Sequence, residues 1–332
     1  MLEWEQIEPT GDIPPNTCKC GFLTLNEEQI IVFGGSSGFG YNNDIWILDV
    51  KKKEWSLIET TGEKPSPRSG VTAVIYKDSL FVFGGFDRRK YYGDFYKLDL
   101  NTWTWKELPQ GPSGRHSHVG NLYGDDKYIF GGRLNTEGKR ANDLWKYSIK
   151  SEKWEEMKPF GHIPSARSSL VSAVFEDLMF IFGGIDDQEE GLNDLYSYSF
   201  SNNTWSLIHT QGEVEPPLCV SPSAVLSGSY LLVIGGQNRI NHERFDFDHV
   251  YAFDILRSEW EKWDPAITKN QMSKRSCHVS AMVGSKVVVF GGEVLVPVSY
   301  YKHMNEVWIL HLLSDLVNDL SHFQKELIFC DV

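Results

Sequence analysis

The chain has 332 residues, 41% of them hydrophobic, and its 32 basic against 45 acidic side chains give a formal net charge of −13 at pH 7. Enough apolar material for a sizeable core excludes a disordered chain, and the acidic balance argues against nucleic acid or an anionic membrane as a partner. No apolar run nears the roughly 18–20 residues of a membrane span, the N-terminus lacks the regions of a secretory signal, and five irregularly spaced cysteines do not suggest a disulfide framework, so cytoplasm, with the nucleus as alternative, is expected.

In chain order, the first strand-like piece is Leu2-Glu3-Trp4-Glu5, with no partner nearby in sequence. Cys18-Lys19-Cys20 follows, a CxC without the second pair that would complete a zinc site, read as ordinary thiols. A full unit then begins: IIVF ends on Gly34-Gly35, a polar loop intervenes, NDIW re-enters a strand, and Trp55 stands nine residues after Trp46. The pattern recurs at Gly84-Gly85, Gly131-Gly132, Gly183-Gly184, Gly235-Gly236 and Gly291-Gly292, in steps of 50, 47, 52, 52 and 56 residues. The nine-residue offset repeats from Tyr96 to Trp105, Trp145 to Trp154, Tyr196 to Trp205 and Tyr251 to Trp260.

The sixth unit breaks the rule, because nine residues after Trp308 stands Val317. The missing tryptophan is Trp4, at the other end of the chain. An array that takes its last strand from its own N-terminus is a closed ring without free sheet edges. Each unit reads as four short strands, a to d; in the second they are GVTAVIY, SLFVFGG, DFYKLDL and TWKEL. The aromatics of strands c and d are predicted to fill the wedges between twisted sheets. Beyond the sixth unit, Leu313, Leu316, Val317, Leu320, Phe323 and Leu327 follow helical spacing, which predicts a short amphipathic C-terminal helix over 312–332.

This repeat resembles the kelch repeat over about residues 1–311. The resemblance implies an all-β, six-bladed kelch β-propeller, its ring closed by the N-terminal strand, with a C-terminal helix or tail appended. It also implies a protein-interaction module, an adaptor or scaffold, that binds a partner protein or peptide through the face bearing the b–c and d–a loops.

Repeats separate fold from function, since a residue the blade requires recurs and one serving a ligand need not. Sixteen residues before each first glycine stand Cys18, Arg68, Arg115, Arg167, Cys219 and Arg275. The four arginines resemble residues near the channel mouth of kelch propellers and are candidate partner contacts, while their recurrence suggests that they brace neighbouring blades. The b–c loops vary and are better candidates: Arg88, Arg89 and Lys90 in blade 2; Arg133, Lys139 and Arg140 in blade 3; the acidic IDDQEEG in blade 4; Phe245 and Phe247 in blade 5; Tyr300 and Tyr301 in blade 6. Aromatics and arginine dominate interface energetics, so a partner with an acidic motif is expected. His242, Glu243, Asp246, Asp248 and His249 cluster in one loop but match no metal motif, and no G-x-S-x-G, P-loop or HExxH is present. No cofactor or metal is expected. The alternative reading is a small-molecule enzyme, a lyase or an epimerase or mutarotase, with its site at the channel mouth.

Overall fold

The computed structural model describes residues 2–134, 137–240, 243–265, 271–296 and 300–312, with the side chains of Arg239, Ile240, Glu243 and Tyr300 excepted. The proposed C-terminal helix lies outside the described residues, beyond Leu312.

Six antiparallel sheets of four main strands form the blades of a propeller. In blade 2, strands a to d are Thr72–Tyr76, Ser79–Phe83, Phe95–Asp99 and Thr104–Leu108, paired in that order. Blade 6 comprises Val279–Val283, Lys286–Phe290 and Val307–His311, and its outermost strand is Glu3–Ile7. Trp4 faces Leu310 in this pair, as Trp55 faces Leu48 and Trp105 faces Leu98 in blades 1 and 2. The N-terminal strand thus supplies the missing tryptophan in the register that every other blade uses.

The core is divided into six apolar clusters, one in each wedge between neighbouring blades. A strand-d tryptophan in each packs on the last residue of strand b in the preceding blade. Ring centroids lie 5.2 Å apart for Phe33 and Trp105, 5.2 Å for Phe83 and Trp154, 5.0 Å for Phe130 and Trp205, 4.9 Å for Phe182 and Trp260, and 5.1 Å for Phe290 and Trp55. In the sixth wedge Trp4 joins Ile234. Burying one such ring contributes about 4–6 kcal/mol of apolar transfer, so the recurring Phe and Trp are what hold adjacent blades together.

The paired glycines let blades meet by backbone. Gly84 has φ 73°, and a Cβ there would lie 2.7 Å from the Arg115 carbonyl oxygen of the next blade. Gly85 donates its N–H to that same carbonyl at 2.8 Å. Just inside these junctions runs a closed circuit of backbone hydrogen bonds. Gly70 donates to Lys19, Ser117 to Gly70, Ser169 to Ser117, Ser221 to Ser169, Cys277 to Ser221 and Lys19 to Cys277, at 2.8–3.0 Å. All six residues have φ between 53° and 67°. The left-handed backbone turns each N–H along the ring, and the circuit narrows the channel on the face bearing the b–c loops.

Candidate functional site

Strands alternate in direction, so the b–c turns and the approaches to strand a share one face of the ring. Isolated bridges tie them together within each blade, as in Ser69 with Phe86, Ser168 with Ile185 and Ser276 with Glu293. Whatever these loops contribute is presented on a rigid rim.

The recurring arginines sit inside that rim. Arg68, Arg115, Arg167 and Arg275 are 0–1% exposed. Arg115 donates to both oxygens of Asp143 at 2.6 and 2.9 Å, to the Gly131 carbonyl at 3.1 Å and to the Ser113 carbonyl at 3.1 Å. Arg68 pairs likewise with Asp94, Arg167 with Asp194 and Arg275 with Glu306. Their backbones are hydrogen-bonded to the previous blade: the Arg115 N–H donates to Tyr92, and its carbonyl accepts from Gly85. Each arginine is therefore a bolt, its backbone bonded to one blade and its guanidinium to the next. No guanidinium surface is left for a partner, and the binding reading passes from these four residues to the loops. The bolt position in blade 1 is also corrected. Thr17, one residue before Cys18, makes its backbone bonds, donating to Met304 and accepting from Gly292, because the blade 1 segment leading to Gly34 is a residue longer.

The basic blade 3 loop and the acidic blade 4 loop are joined. Arg140 is buried; it donates to Glu189 at 2.7 Å and to Ser168 at 3.1 Å, and lies 3.8 Å from Asp187. The acidic blade 4 loop thereby consumes the Arg140 charge. Arg133 is half-buried, its backbone bridged to His116 and Arg140, while Lys139 is exposed. Arg88, Arg89 and Lys90 are exposed on a turn held by Asp87, whose carboxylate accepts from the N–H groups of Arg89 and Lys90. Burial opposes ionisation of Asp87, yet these amides and Tyr92 hold its carboxyl below the ordinary value.

Blades 5 and 6 extend their b–c loops into raised hairpins, Gln237–Ile240 with Glu243–Asp246 and Glu293–Val296 with Tyr300–His303. Asp246 locks them together by accepting from the Leu295 N–H at 3.0 Å and from Arg244 at 2.6 Å. Arg244 also reaches Glu293 at 3.3 Å and Ser276 at 2.6 Å, and its guanidinium lies 4.2 Å from the centroid of the Tyr301 ring. Burial works against the Glu293 charge, but Lys19 and Arg244 outweigh it and hold the carboxyl below its usual range. For Asp246 burial prevails over Arg244 and the carboxyl is raised. Of the residues weighed for metal, Asp246 is spent on this lock and His242 lies outside the described residues.

The hairpins frame a cleft of about 620 Å³ whose walls include Pro217, Phe245, Phe247, Val294 and Leu295, with Lys274 and His249 at its edge. Phe245 is 44% exposed, Leu295 38% and Tyr301 46%. Sequence reasoning reached Phe245, Phe247 and Tyr301, and Tyr300, its fourth aromatic anchor, begins the blade 6 return strand. It missed Arg244 and Leu295, whose only signal was the unusual length and apolarity of these two loops, and Lys274, which stands outside both, on the approach to strand a of blade 6.

Fold and face define a six-bladed propeller with a loop-built cleft. Residues 1–184 match the family model of the KLHDC2/KLHL20/DRC7 kelch-repeats domain, and residues 109–294 match that of the attractin/LZTR1 β-propeller. The chain belongs to the kelch-repeat β-propeller family, which at a coarse level is one of protein-interaction modules. It is similar to the leucine-zipper-like transcriptional regulator 1 homolog of Drosophila melanogaster, 27% identical over 336 residues, covering 92% of this chain and 32% of that protein. It is also similar to human kelch domain-containing protein 10, 29% identical over 277 residues, covering 78% of this chain and 62% of that protein. The chain thus spans from about a third to under two thirds of the length of these curated relatives. Among solved structures, that of YjhT superposes with a TM-score of 0.74 at 14% identity, covering 91% of this chain and 97% of that one, a likeness of fold. No helix among the described residues is long and apolar enough to cross a membrane.

Proposed function

We propose that the chain is an adaptor or scaffold that takes up a partner protein or peptide across its loop face, in the cleft between the hairpins of blades 5 and 6. The observation that carries this reading is the pairing of exposed Phe245, Leu295 and Tyr301 with a preformed cleft whose walls are cross-linked by Asp246 and Arg244. Aromatic anchors on rigid walls lose little entropy on binding, and a preformed groove costs no reorganisation. Lys274 at the cleft edge and Arg88, Arg89 and Lys90 across the ring supply cations, which suit a partner segment with an apolar side chain flanked by acidic residues. The cytoplasm or nucleus is the setting this reading carries.

Affinity capture from native lysate tests it, with wild type beside a Phe245→Ser, Leu295→Asp variant of unchanged melting temperature. A protein held by wild type and lost from the variant is the expected result. A set of captured proteins identical for both forms contradicts the reading.

A further inference from the structure

Cys18, Glu293 and His303 come from the two blades that meet where the ring closes, and they converge beside the hairpin cleft. Cys18 Sγ lies 3.3 Å from Glu293 Oε1, and His303 Nε2 lies 3.4 Å from the same oxygen. One ligand atom from each residue falls within 4.8 Å of the other two. The edges of a tetrahedron built on zinc with one sulfur, one nitrogen and one oxygen ligand are about 3.3–3.6 Å. We propose that Cys18, Glu293 and His303 form a binding site for one zinc ion, with the fourth position open to water or to a donor atom of a bound partner.

The surroundings fit such a site. Glu293 presents Oε1 to the cysteine and histidine, while Oε2 accepts from Arg244, as an outer partner orients a ligating carboxylate. Cys18 is buried, and Ser36 Oγ stands 3.2 Å from its sulfur. Lys19 and Arg244 bring two positive charges to the cluster. Against them stand Glu293, Asp246 and a Cys18 thiolate, so three anions face two cations and a divalent ion meets no net repulsion. Uptake exchanges the Cys18 thiol proton for the metal: the S–H bond breaks, an S–Zn bond forms and the proton leaves to solvent. Because each zinc taken up releases a proton, uptake strengthens as pH rises. The isolated CxC hid this site, because the other ligands lie 275 and 285 residues further along the chain.

The test uses the full chain stripped with chelator, then titrated with zinc against a chromophoric competitor and, separately, with cobalt(II). Wild type is expected to take up one equivalent of zinc and, with cobalt, to show thiolate-to-metal charge-transfer absorption. Cys18→Ser abolishes that absorption. His303→Ala, a change at a half-buried side chain, weakens zinc by more than the about 10–100-fold that loss of an outer-shell partner costs. Cys219→Ser, at a buried thiol outside the cluster, leaves both readouts intact. Absence of zinc uptake by wild type, or uptake equal in wild type and His303→Ala, overturns the site.

Discussion

Arg115 and Asp143 sit in one blade and bind two. The arginine backbone is hydrogen-bonded to blade 2 through Tyr92 and Gly85, while its guanidinium grips the Asp143 carboxylate of blade 3 at 2.6 and 2.9 Å. The Trp145 indole N–H also donates to Asp143, at 2.7 Å. Arg115→Met therefore leaves a partly buried carboxylate facing an apolar side chain, and should cost about 3–5 kcal/mol. Lys64→Met, which removes the corresponding partner of Asp44 in blade 1 at an exposed pair, should cost under about 1 kcal/mol. Urea unfolding midpoints of the two variants check the contrast.

Ring closure makes a second prediction. Trp4 is 4% exposed and completes the wedge between blades 5 and 6. Trp4→Ala should destabilise by about 3–5 kcal/mol. Removing residues 1–7 strips the outer strand from Val307–His311 and opens an unpaired edge, so the truncated chain should self-associate. Melting temperature and light scattering read the two effects.

Buried histidines set the response to acid. His278 is held down to about 3 by burial and then by Arg275, and His118 is pushed well below its ordinary 6.5 by burial, Arg115 and Lys127. Both stay neutral in the folded ring but protonate in the unfolded chain as pH falls through 6.5. The unfolded state then binds more protons, so stability drops on acidification, by about 1.4 kcal/mol per ring for each pH unit below 6.5. Between pH 7.5 and 5.5 the unfolding free energy should fall by about 2–3 kcal/mol, and His278→Gln should remove roughly half of that dependence.

Lys127 is buried on strand b of blade 3, and its ammonium donates to the Thr72 carbonyl at 3.2 Å. Burial lowers its pKa from 10.5 to about 7. The folded state thus holds this proton less tightly than the unfolded chain, so stability rises with pH between about 7 and 10.5, and the penalty is fully present at lower pH. Lys127→Met should stabilise the protein at pH 7 by about 2 kcal/mol or more, with a gain that shrinks towards pH 9.5. Thermal melts of both forms at the two pH values test the sign.

How far the sequence carried depended on periodicity. The glycine pairs and the nine-residue spacing of aromatics revealed six blades, the strand order and the role of Trp4, because each blade must solve the same packing problem. The same regularity pointed to the bracing role of Arg68, Arg115, Arg167 and Arg275, which their likeness to channel-mouth residues had made candidate contacts, but it misled at Cys18, where a segment one residue longer moved the position to Thr17. Arg140 looked like an exposed loop cation, since its partners Asp187 and Glu189 belong to the next blade. The cleft residues Arg244, Leu295 and Lys274 follow no repeat at all. Their neighbourhood is set by two hairpins meeting in space, a relation that no single loop encodes.

The central claim is that partners bind across the hairpin face, and amide hydrogen exchange on the captured complex tests it most directly. Added protection should appear in Gln237–Ile240, Glu243–Asp246 and Glu293–Val296, with a weaker effect around Arg88, Arg89 and Lys90. Protection confined to the opposite-face turns at 51–53, 101–103 and 201–203, with the hairpins unchanged, would contradict it.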